Sequence, residues 1–129
     1  MKLVSVGIIG TSWWADAMYL PSLAGTEKAT VVACCGRNEK RARELASIWN
    51  IPKVYTNWGK MLDEEPLDAV LISTPNDTHC PITLAALEKG LHVLCEKPLA
   101  LNYAEARKMA EAAKAHQAVT MVPLSLIHI

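Results

Sequence analysis

Short apolar blocks alternate with amphipathic stretches along the chain. Leu3 to Ile9 is apolar, rich in β-branched residues and ended by Gly10, the pattern of a strand buried on both faces. Ala29 to Cys35 and Asp68 to Ser73 repeat it, the latter built on Ala69, Val70, Leu71 and Ile72. Pro52 to Tyr55, Leu91 to Cys95 and Ala118 to Val122 are shorter versions. Between these blocks the spacing changes to that of helices. One is expected from about Trp13 to Leu23, with Pro21 disturbing it. A second follows a capping Asn38 and carries Ala42, Leu45, Ala46 and Trp49 on one face. A third starts at Asp77 or Thr78, accepts Pro81 in its first turn, runs to Lys89 and stops at Gly90. A fourth opens on Asn102 and Glu105, spaced like a capping box, and runs to about His116.

Strands alternating with helices imply βαβ units. The fold class expected is α/β, a single domain with a doubly wound parallel sheet and helices on both faces. Such sheets bind ligands at the carboxyl ends of their strands. The loops after Ile9, Cys35, Ser73 and Cys95 are therefore where chemistry is sought.

A length of 129 residues suits one domain, placed at residues 1–122. The formal net charge of +0 gives no global attraction to nucleic acid or an anionic membrane, and neither is expected as a partner. The N-terminus lacks a signal-peptide core and no apolar run is long enough to span a bilayer, so a cytoplasmic protein is expected. Cys34, Cys35, Cys80 and Cys95 form no CxxC pair, so no zinc or other metal site is indicated. They read as buried free thiols in a reducing cytosol, Cys34 and Cys35 on opposite faces of a strand.

The first loop reads Gly10, Thr11, Ser12, Trp13, Trp14, Ala15. This is a GxGxxA turn with serine at the second glycine. Gly10 permits the tight turn, Ala15 lets the helix pack on the strand, and the N–H groups between them can receive a pyrophosphate. Ser12 adds a Cβ and hydroxyl that can crowd the phosphate or donate to it. The alternative is an ordinary strand–helix turn.

The second loop, Gly36, Arg37, Asn38, has no acid before Glu39 where an NAD site usually offers one to the ribose. Arg37, Lys40 and Arg41 supply positive charge suited to a 2′-phosphate. NADP is expected over NAD, NAD remaining possible; a solvated basic helix start is the competing reading. The loop from Ser73 to His79 is rich in donors and acceptors and can border a nicotinamide, or can serve turns and caps alone. Glu96, Lys97 and Pro98 follow the fifth strand. Lys97 can bind a substrate oxygen and favour the alkoxide formed during hydride transfer, with Glu96 holding it and tuning its proton affinity. A surface ion pair is the plainer reading.

Val6 to Thr11, the Ser73, Thr74, Pro75, Asn76 loop with His79, and the Glu96, Lys97, Pro98 motif together resemble the glucose–fructose oxidoreductase / inositol dehydrogenase / rhizopine-catabolism (Gfo/Idh/MocA) family, over the chain to about Val122. The resemblance implies the N-terminal NAD(P)-binding Rossmann domain of an oxidoreductase acting on a sugar, polyol or related hydroxyl compound. It implies Lys97 as the catalytic residue beside nicotinamide and substrate. Thr74, Asn76 and His79 would border the cofactor, which Gly10, Thr11, Ser12, Trp13, Arg37, Asn38, Arg41 and Glu96 help to bind. Family members carry a second α/β domain that builds the substrate pocket, contributes further catalytic groups, often an Asp and a His, and makes most of the subunit contacts, so the full-length parent is expected to be a homo-oligomer. Residues 123–129 do not resemble the family continuation. They read as translated adapter read-through at the end of a truncated frame, leaving the piece inactive alone. The alternatives are a non-catalytic NAD(P)-binding module, such as a redox sensor, and a nonfunctional gene fragment.

Overall fold

A computed structural model describes residues 2–123. Of the expected tail, residues 123–129, all but Pro123 lies outside the described residues. Six strands form one parallel sheet: β1 (Val4–Ile9), β2 (Ala29–Cys35), β3 (Lys53–Tyr55), β4 (Ala69–Ile72), β5 (His92–Cys95) and β6 (Thr120–Met121). Their spatial order is β3-β2-β1-β4-β5-β6. The chain winds outward from β1 in one direction, returns, and winds outward in the other. The doubly wound α/β sheet is thus as expected, and its switch point lies between β1 and β4.

Strand alternation builds two cores. Cys34, Ile8 and Leu71 face Leu20 and Ala46, while Cys35, Val70 and Ile72 face the other way, onto Met61 and Leu87. The first layer holds α1 (Leu20–Ala24) and α2 (Glu39–Trp49); the second holds α3 (Trp58–Glu64), α4 (His79–Glu88) and α5 (Tyr103–Ala115). Cys34 and Cys35 occupy opposite faces, as their adjacency in a strand requires. All four cysteines are free and buried.

Several local expectations are corrected. The Trp13–Leu23 stretch is no uniform helix: a π-helical turn spans Ala15–Tyr19, and the Leu20 N–H bonds Ala15 O, five residues back. Pro21, with no N–H to give, follows directly in the first turn of α1. The expected side-chain cap of α4 is absent. A 3-10 turn, Asn76–Thr78, leads into it instead, and Thr78 occupies the cap position with its hydroxyl turned back to Thr74 Oγ1 and Pro75 O, not onto the helix. Helix α3 was not expected; Asn57 caps it by accepting the Lys60 N–H at 2.9 Å. At α5, Asn102 accepts the Glu105 N–H at 2.9 Å, but the Glu105 carboxylate reaches back to Leu101 N, not to Asn102. The last strand is shorter than expected.

Candidate functional site

The carboxyl ends of β1, β2 and β4 enclose a cleft of about 380 Å³ at the switch point. Its walls are three of the loops singled out in the sequence. Gly10 lies at the turn with φ +110°, and a Cβ there would stand 2.1 Å from Ser73 O. Only glycine fits, because the β4 loop presses on the β1 turn. The Gly10 N–H also donates to Cys35 O at 2.8 Å, joining the turn to the end of β2. Gly36 leaves room for Thr11: a Cβ there would lie 2.5 Å from Thr11 Oγ1.

The Ser12 hydroxyl is turned into the structure. It accepts the Ala15 N–H at 3.3 Å and lies 3.0 Å from Ser73 Oγ. Ser12 thereby caps the helix start and ties two walls together. Just beyond it, the backbone N–H groups of Trp13 and Trp14 have no acceptor among the described residues. These are the orphan donors that suit an anion at a helix N-terminus.

The outer end of the cleft is basic. Asn38 caps α2 by accepting the Arg41 N–H at 3.1 Å. The Arg41 guanidinium bonds Thr11 O, bracing the first loop against the second. Arg37 is exposed and pairs with no group among the described residues. Glu39, the nearest acid, is held 2.7 Å from Arg43 further along α2. No Asp or Glu lines the cleft among the described residues. Thr56 and Trp58, which the sequence reading passed over, complete this end. The capping Asn57 between them is a local signal for this turn.

Thr74 lines the cleft; Asn76 stands exposed on the 3-10 turn outside its wall. His79 is fully buried beneath it. Its Nε2 is 2.9 Å from Thr74 O and its Nδ1 2.8 Å from Pro98 O. The ring therefore links the β4 loop to the loop that carries Lys97, and is not itself a cleft surface.

The expected pairing of Glu96 with Lys97 is also corrected. Glu96 accepts from Tyr19 Oη, from Trp14 Nε1 at 2.8 Å and from the Lys97 backbone N–H at 3.0 Å. It forms no ion pair with the Lys97 ammonium, which is exposed on the same edge of the sheet. Burial, and then the bond to Glu96, push the Tyr19 phenol above its ordinary range, so it remains a donor. No cluster of three metal-ligating side chains occurs among the described residues, and no helix there is long and apolar enough to cross a membrane.

A donor-lined cleft at the switch point of a doubly wound sheet is where such folds take nucleotides, and the architecture is that of a dinucleotide-binding domain. Residues 4–124 match the family model described as oxidoreductase family, NAD-binding Rossmann fold. The chain belongs to this Gfo/Idh/MocA family of oxidoreductases. It is 36% identical over 119 residues to a scyllo-inositol 2-dehydrogenase (NADP(+)) of Bacillus subtilis, covering 92% of this chain and 36% of that one. Myo-inositol 2-dehydrogenase from Lactobacillus plantarum superposes with a TM-score of 0.88 at 28% identity, over 95% of this chain and 36% of that one. A 3-ketoreductase from Actinomadura kijaniata, solved with TDP-benzene and NADP, gives a TM-score of 0.89 at 26% identity, over 99% and 40%. The chain spans about a third of the length of the curated relatives it matches.

Proposed function

We propose that the chain is the cofactor-binding part of an NADP(H)-dependent dehydrogenase acting on a sugar, polyol or related hydroxyl compound. The observation that carries the NADP preference is the basic end of the cleft. Arg37 is unpaired among the described residues, Arg41 is fixed beside it, and Glu39 is turned away onto Arg43. A 2′-phosphate would meet a guanidinium there and no carboxylate. The Bacillus subtilis relative, named for NADP(+), supports the same choice.

The residues present fit the cofactor. The Trp13 and Trp14 amides offer donors for a pyrophosphate above the Gly10 turn. Asn38, Arg37 and Arg41 would hold the adenosine end, and Thr74, at the inner wall, would border the nicotinamide side. Bound NADP supplies the hydride acceptor, and NADPH the donor. Lys97, at the carboxyl end of β5, would hydrogen-bond the substrate oxygen and move its proton. The remaining substrate contacts, and the subunit contacts of a homo-oligomer, fall to the portion of the relatives that this chain does not span. Four buried free thiols support a reducing, cytoplasmic setting.

Titration with NADPH and NADH, followed by calorimetry and by the fluorescence of Trp13 and Trp14, tests the reading. NADPH should bind at least about tenfold more tightly, the scale of one charge-assisted contact. Arg37→Asp should reverse that order. Binding of neither nucleotide would sink the cofactor assignment; a wild-type preference for NADH would sink the role of Arg37.

A further inference from the structure

The side chains of Trp14 and Tyr19 are five positions apart yet converge on one carboxylate oxygen, Glu96 Oε1. On an α-helix such residues point about 140° apart. The π-helical turn at Ala15–Tyr19 reduces that divergence, because i→i+5 bonding widens the turn and brings residue i+5 closer to the face of residue i. The other carboxylate oxygen, Oε2, takes the Lys97 backbone N–H at 3.0 Å. All three donors to Glu96 thus leave out the neighbouring ammonium, which stands next in sequence. Tyr19 and the Cys95 thiol are the other titratable groups near this carboxylate among the described residues; both are protonated at neutral pH, and burial pushes both further up.

We propose that Trp14 and Tyr19 are positioning residues that sequester the Glu96 carboxylate and keep it from neutralising Lys97. The inference rests on the reading that Lys97 serves the substrate oxygen. An ammonium locked in an ion pair would have its donors committed before substrate arrived. The π turn prevents this by giving the carboxylate two side-chain donors, while the Lys97 backbone N–H takes its other oxygen. The same turn begins at the capped helix start above the cleft, so it joins the nucleotide site to the lysine.

The test is the reactivity of Lys97 in the full 129-residue chain. Trinitrobenzenesulfonate labelling is followed by peptide mass spectrometry from about pH 7 to about pH 11, the range over which lysines lose their proton. Thermal unfolding is recorded for each variant. In a Trp14→Phe, Tyr19→Phe double variant, Glu96 is released onto the ammonium and labelling of Lys97 should slow at least about threefold, a half-unit displacement of the profile. Adding Glu96→Gln should restore the wild-type rate. Trp49→Phe is the control: it removes a 2.7 Å indole bond to Asp16 in the same π turn and leaves Glu96 alone. Slowing confined to the double variant, with rescue by Glu96→Gln, upholds the proposal. Unchanged labelling, slowing that Glu96→Gln fails to reverse, or equal slowing in Trp49→Phe overturns it. Protection of wild-type Lys97 by NADPH is measured separately; its absence would defeat the placement of Lys97 beside the nicotinamide, whatever the double variant does.

Discussion

At Gly10 the backbone of one loop meets the backbone of another. The obstacle to a side chain is a main-chain oxygen, Ser73 O, which cannot rotate away, and φ is +110°. Gly10→Ala should therefore cost about 3 kcal/mol or more, since strain and overlap add, and should abolish NADPH binding. A urea midpoint equal to wild type would contradict the geometry. Gly36→Ala is a milder case, because its obstacle is the Thr11 side chain, which can turn. Asn38→Asp separates two roles at one position. The side chain would still cap α2, so stability should hold within about 0.5 kcal/mol, but the added charge should weaken NADPH more than NADH in parallel titrations. Gly10 and Asn38 were legible in the sequence because each acts locally, Gly10 through its own backbone and Asn38 on the N–H three residues on. The role of Ser12 was not: its partner, Ser73, is 61 residues away. His79 misled for the same reason. Its ring is spent on two carbonyls, one of them Pro98 O, and only the folded chain brings them together.

The elements divide by length and by partner. Long β-branched runs announced β1 and β2, and regular apolar spacing announced α2. Helix α3 escaped because it has seven residues, too few to establish a period, and draws its place from buried Met61 and Leu62. The π turn escaped because it is a choice of hydrogen-bond register, on which residue spacing is silent. Side-chain caps hold the starts of the short α3 and the longer α5 alike. Asn57→Ala and Asn102→Ala should each lower stability by about 1 kcal/mol in urea unfolding. Neither should alter the NADPH to NADH ratio, since neither residue lines the cleft. Two-stranded pairing of β5 with the short β6 leaves Val119 and Met121 exposed at the sheet edge. Met121→Lys should reduce self-association in light scattering, because a charged edge resists pairing with another copy.

Across the whole molecule, burial controls the thiols. It pushes Cys34, Cys35 and Cys95 up to about 11 from an ordinary 9.0. The folded state thus holds these protons more tightly than the unfolded state. Their contribution to stability is complete below about pH 9 and is lost as pH rises toward about 11. Unfolding midpoints measured across that interval should fall, and a thiol reagent at neutral pH should label the four cysteines only when urea is added. The order of the strands was the part of the molecule least open to sequence reading; alternation of strand and helix fixes the class but not which strand adjoins β1. On the side away from β2 that neighbour is β4, and the pairing brings Ser12 against Ser73. The walls of the nucleotide cleft are therefore absent until a long loop has closed, and closure of distant parallel strands is the slow part of forming such a sheet. In a refolding experiment, capture of NADPH would mark the arrival of the central pairing, later than the helical signal, so the cofactor doubles as a clock for the assembly of the sheet.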